Sequence, residues 1–209
     1  MPTIRFIGDV HGKFKRYEKI IAEMPETIQV GDMGVGFFRD PDRPHINPPY
    51  DKMVDGGHRF IRGNHDNPSV CRKHSQWIAD GRCEDGMMFI GGGVSVDRAY
   101  RTEGLDWWPD EELSAAELND LVDAYRDYKP EVMVSHEAPE SIAEIMCALS
   151  QRRKLDFPSR TRQAFEAMLG FHSPHLWIFG HWHYSFRGKP KGETEFICLN
   201  ELEFADIKT

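Results

Sequence analysis

The chain has 209 residues, which suits one domain spanning 1–209, since roughly 100–200 residues per domain is usual. Hydrophobic residues make up 40% and charged residues 29%, enough to bury a core and too apolar for a disordered chain. A net charge of −8 argues against a general nucleic-acid binder, which needs a basic face, but not against a small phosphorylated substrate met by metal ions.

Residues 1–9 are too short and too soon polar for a signal peptide, and no apolar run approaches the ~18 residues of a membrane span. Cys71, Cys83, Cys147 and Cys198 are scattered without a C-x-x-C pair, as expected of reduced thiols in a cytoplasmic protein.

In chain order, T-I-R-F-I (3–7) reads as a short buried strand. Residues 13–24 read as an amphipathic helix with Phe14, Tyr17, Ile20, Ile21 and Met24 on one face. T-I-Q-V (27–30) is a second strand. The prolines of 39–50 forbid a helix or central strand, so that stretch reads as a long ordered loop. R-F-I (59–61) is a third strand, and M-M-F-I-G-G-G-V-S-V (87–96) a strand broken by three glycines. Residues 111–128 read as a helix, 131–135 as a strand, and 139–150 and 159–169 as helices. Late strands follow at 176–179, 184–187, 196–199 and 202–206, with a hairpin turn carrying lysines at 187–192. A β-α-β beginning and a strand-rich end predict an α/β layered domain with a mixed sheet, or two sheets packed together.

Five of these strands stop at a glycine or serine, or one residue short of it, and metal-binding residue types follow at once. The sequences are G-D-V-H-G (8–12), G-D-M-G (31–34), G-N-H-D (63–66), S-H-E (135–137) and G-H-W-H (180–183). Open α/β sheets bind ligands at the carboxyl ends of their strands. Each motif has an ordinary reading: Asp9 as a helix cap, Asp32 and Asn64 as turn residues, His136 as a structural histidine. Their recurrence after five strands is what points to a shared centre, where five of the ten histidines gather. His181 and His183, at i and i+2, face the same way on an extended chain. Carboxylate, amide and imidazole donors without cysteine suit Mn, Fe, Co, Ni or Zn in an open catalytic site.

Taken in order over residues 8–183, these motifs resemble those of the calcineurin-like metallophosphoesterases. The resemblance implies a four-layer αββα sandwich, two mixed β-sheets flanked by helices, with a two-metal site at one edge. It implies Asp9, His11, Asp32 and His183 as ligands of one divalent ion. Asn64, His136 and His181 become ligands of a second, with Asp32 bridging. Manganese is the first choice for both. His65 matches the family's catalytic histidine. The expected reaction is hydrolysis of a phosphodiester or nucleotide-type phosphate ester, by in-line attack of a metal-bridging hydroxide with His65 as general acid. Asp66 either orients His65 or caps a helix at 67–73.

Two departures matter. Val35 stands where the family's protein phosphatases have an Asp that partners the catalytic histidine, and Gly36 where they have a phosphate-gripping Arg. Arg39, Arg98 and Arg101 are candidate replacements, with Arg98 and Arg101 following the glycine-broken strand. Phe37 and Phe38 are candidates for the pocket lining, and Trp107-Trp108 for a base-stacking surface or for packing under a loop. The alternative activity is phosphomonoester hydrolysis, including protein Ser/Thr phosphatase action. A non-catalytic interaction module on the same fold is the remote alternative. It predicts a missing ligand or acid, and none is missing.

Overall fold

The computed structural model describes residues 3–37, 47–150, 155 and 157–208. The elements in order are β1 (Thr3–Ile7), α1 (Phe14–Ile21), β2 (Thr27–Val30), α2 (Tyr50–Gly56), β3 (Arg59–Ile61), α3 (Pro68–Cys71), β4 (Arg82–Glu84), β5 (Met87–Ile90), α4 (Ala115–Tyr128), β6 (Val132–Ser135), α5 (Glu140–Leu149), α6 (Arg160–Phe171), β7 (Leu176–Phe179), β8 (Phe186–Gly188), β9 (Glu195–Cys198) and β10 (Phe204–Lys208). A 3-10 turn lies at Arg98–Tyr100.

Two mixed sheets form. In the first, β1, β2 and β3 run parallel and β10 adds antiparallel beside β1. The second has the order β4-β5-β6-β7-β9-β8, parallel in the middle and antiparallel at both edges. Successive strand residues point to opposite faces, and here both faces are apolar. Ile4, Phe6, Ile28 and Val30 meet Phe89, Val134, Ile178 and Ile197 between the sheets. On the outer face of the first sheet, Ile7 and Phe60 pack with Phe14, Tyr17 and Ile21 of α1 and Met53 of α2. On the outer face of the second, Met88, Met133, Trp177 and Phe179 pack against Leu118, Ile142, Met146 and Phe165 of α4, α5 and α6. Those four layers make the expected αββα sandwich.

Helix limits follow local chemistry. Ser114 caps α4 in a capping box with Glu117, so the helix expected from 111 starts four residues later. The strand expected over 87–96 ends at Ile90. A Cβ on Gly91 would lie 2.3 Å from the Arg62 carbonyl, and one on Gly92 would lie 2.4 Å from that of Glu111. Helix α2 and edge strand β4 were not anticipated, the strand expected at 196–199 shifts by one residue, and the one expected at 202–206 shifts by two. Most of the 39–50 loop, with Phe38 and Arg39, lies outside the described residues.

Candidate metal centre

The five motifs leave β1, β2, β3, β6 and β7 at their carboxyl ends. Their glycines serve close approach. A Cβ would fall 2.3 Å from His136 Nδ1 at Gly31, 2.0 Å from Asp32 Oδ1 at Gly63, and 2.3 Å from Asp9 Oδ1 at Gly180. The backbone is also strained there. His11, Asp32, His181 and His183 hold left-handed φ values of 47°, 58°, 67° and 48°. Such conformations cost on the order of 1–3 kcal/mol each and persist where the surroundings demand them. His181 and His183 therefore sit on a turn beyond β7 and not on extended chain, and they serve different groups.

Asp9, His11, Asp32 and His183 each offer one donor atom, all within 4.8 Å of one another. Asp32, His136 and His181 form a second such group, so Asp32 belongs to both. In the first, the Nε2 atoms of His11 and His183 face each other at 2.8 Å, and His183 Nε2 lies 3.0 Å from Asp9 Oδ2. Two imidazole nitrogens and two carboxylates converging on one point fit a divalent cation. In the second, His136 Nε2 lies 3.3 Å from Asp32 Oδ1 and 3.1 Å from Asn64 Oδ1. His136 Nδ1 donates to the Val30 carbonyl at 2.9 Å, which fixes the tautomer and leaves Nε2 for an ion. Buried Glu137 stands behind His181, its Oε2 3.5 Å from Nε2, and Trp182 Nε1 donates to its Oε1 at 2.9 Å.

Protonation follows the same charges. Burial opposes ionised Asp32, but the His136 imidazolium beside it holds it well below the usual carboxylate range. Burial opposes ionised Asp9 too, yet His11 and His183 keep it at about 2. His136 is pushed down by burial and lifted more strongly by Asp32, reaching about 10. A cation entering this centre would replace that proton.

His65 stands beside both groups and belongs to neither. Its backbone N–H donates to Asp32 Oδ1 at 2.7 Å. Its ring stacks on Phe37, with centroids 4.7 Å apart and planes 7° apart. Arg101 Nη2 donates to its Nε2 at 2.7 Å. A guanidinium only donates, so Nε2 carries the lone pair and the ring is neutral. Burial, with Arg101 and His11 adding to it against Asp32, lowers His65 to about 4. Arg101 also pairs with Asp97 Oδ1 at 2.6 Å and donates to the Asp106 carbonyl at 3.2 Å. Arg98 is not brought to this centre. It is exposed, with its Cζ 5.6 Å from the centroid of the Phe157 ring. Trp108 is buried and tilts against Phe37 at 5.9 Å, so it packs behind the site wall and presents no face to a base.

Asp66 corrects a prediction, because it neither orients His65 nor caps the following helix. Its carboxylate accepts from the backbone N–H groups of Gly63, Gly34, Val35 and Met33, at 2.7, 2.7, 2.8 and 3.2 Å. It staples the β2 loop to the β3 loop. Asn67 caps α3, its side chain accepting from Ser69 N. Three further residues went unread in the sequence: Glu137, Ser95 and Glu111. Glu137 had the plainest signal, adjoining His136 in S-H-E.

Two aspartate–histidine groups sharing one carboxylate at a sheet edge could hold two metal ions, as a metal-dependent phosphoesterase requires. Residues 2–185, which include both groups, match the calcineurin-like phosphoesterase family, and the chain belongs to it. No curated protein matches the chain. Among the described residues no helix is long and apolar enough to cross a membrane.

Proposed function

We propose that the protein hydrolyses a phosphodiester or nucleotide-type phosphate ester. The observation that carries this reading is the Asp32 carboxylate common to two donor groups, with the His65 amide bonded to it. Two divalent ions, manganese first and Fe, Ni, Co or Zn as alternatives, would be held by Asp9, His11, Asp32 and His183, and by Asp32, Asn64, His136 and His181. They would neutralise the ester's charge and lower the pKa of a bound water toward about 7.

The chain's own side chains do the rest. The hydrogen bond to Asp32 fixes the His65 backbone relative to both groups, and Phe37 fixes the plane of its ring. The departing alkoxide needs a proton, and His65 is the imidazole at this edge outside both donor groups. At rest its Nε2 is occupied by Arg101. A phosphate oxygen competes for that guanidinium. Once Arg101 turns to the phosphate, Nε2 can take up a proton and deliver it. Arg101 thus takes the phosphate-gripping role that Gly36 cannot. Because Asp97 already offsets its charge, a diester with a single negative charge suits the site. Phosphomonoester hydrolysis is the second reading, favoured by the guanidinium's ability to grip two phosphate oxygens.

The test is manganese-dependent hydrolysis of bis(p-nitrophenyl) phosphate beside p-nitrophenyl phosphate, with wild type and Asp32→Asn. Diester turnover lost in the variant supports the proposal. Preference for the monoester moves the assignment to the second reading, and no turnover of either with any of the five metals would count against an esterase of this type.

A further inference from the structure

A three-residue chain of hydrogen bonds ends on Asn64. Asn64, Ser95 and Glu111 are buried, at 2%, 1% and 3% exposure. Asn64 Nδ2 donates to Ser95 Oγ at 3.0 Å. The Ser95 hydroxyl donates in turn to Glu111 Oε2 at 2.5 Å, and the Ser95 backbone N–H donates to Glu111 Oε1 at 3.0 Å. The Glu111 backbone is held as well. Arg62 Nη1 donates to its carbonyl at 2.9 Å, and Gly93 N donates to it at 3.2 Å.

We propose that Glu111 and Ser95 are positioning residues that dictate which end of the Asn64 amide faces the second ion; the inference rests on the metal-centre reading above. An ionised carboxylate only accepts, and a hydroxyl has one proton. Ser95 gives that proton to Glu111, so toward Asn64 it can only accept. It must therefore meet the NH2 end of the amide. The carbonyl oxygen is left facing His136 Nε2, where a cation wants an oxygen. The NH2 end of the amide offers an ion no comparable lone pair.

The logic predicts what an isosteric change does. In Glu111→Gln, the amide oxygen must stay on the Ser95 N–H, which cannot turn. The new NH2 group then donates to Ser95 Oγ. The hydroxyl proton swings to Asn64, the Asn64 amide reverses, and its NH2 end faces the ion. Shape and volume are kept while one ligand is lost.

The experiment is calorimetric titration of the metal-free protein with Mn2+, for wild type, Glu111→Gln and Ser95→Ala, beside the thermal midpoint of each. Wild type should bind two ions. Glu111→Gln should keep the first at wild-type affinity and bind the second roughly 10–100-fold more weakly, the usual effect of losing a residue that orients a ligand. Turnover should return as Mn2+ is raised. A folded Glu111→Gln with both wild-type affinities overturns the relay while leaving the metal centre intact. Wild type binding fewer than two ions overturns the metal centre itself, and the relay with it. Should Glu111→Gln fail to fold, Ser95→Ala decides. It removes the acceptor from Asn64, so the second ion must weaken; unchanged affinity overturns the proposal.

Discussion

Replacing Asp66 by asparagine separates a carboxylate that holds the fold from one that acts on His65. Its Oδ1 accepts from Gly34 and Val35, and its Oδ2 from Met33 and Gly63. Asparagine keeps one oxygen and turns an NH2 group against two amide donors that cannot move. An orphaned buried donor costs about 1–3 kcal/mol, so two orphans cost roughly 2–6 kcal/mol. That is a large part of the roughly 5–15 kcal/mol that holds a domain folded. Alanine orphans all four donors, and Asp66→Ala should not accumulate as folded protein. The assay is urea unfolding of metal-free protein. Asp66→Asn should lower the unfolding free energy by at least ~2 kcal/mol, read as a lower midpoint at an unchanged slope. A variant with wild-type stability and crippled turnover would refute the reasoning and return Asp66 to a role on His65.

Other perturbations test neighbouring parts. Gly63→Ala brings a Cβ to 2.0 Å from Asp32 Oδ1 and should abolish binding of both ions, read by metal analysis of the purified protein. Arg101→Ala should raise KM for the phosphate ester and let His65 titrate nearer its ordinary value, followed by NMR of the ring protons. In metal-free protein His65 should contribute a loss of stability as pH falls from 6.5 toward about 4, because the unfolded chain takes up a proton there that the folded ring refuses, while Asp66, raised by burial and Asp32 to about 6, contributes in the opposite direction. His65→Gln removes the His65 contribution, so the stability difference between wild type and variant should change by up to roughly 3 kcal/mol over that window, seen by unfolding at several pH values.

The donor groups were legible because a strand end is a local signal: an apolar run, a glycine, then Asp or His. Strands such as 87–90 and 176–179 are apolar at every position, so no polar alternation marked which face met a helix, although their being strands was plain. Asp66 was misread because its four partners come from two loops that only packing brings together. Arg98 and Arg101 look alike in sequence, yet a 3-10 turn sends one to solvent and the other to His65. Helix α2 begins directly after Pro48-Pro49, where prolines argue for loop. The Glu111–Ser95–Asn64 chain spans 47 positions with no periodicity to announce it.

The central claim is that Asp32 joins two ions. An anomalous difference map from crystals grown with Mn2+ tests it most directly. Two peaks about 3.5–4 Å apart are predicted, both touching Asp32, one against Asp9, His11 and His183 and the other against Asn64, His136 and His181. A single peak, or two peaks that do not share Asp32, would contradict the account.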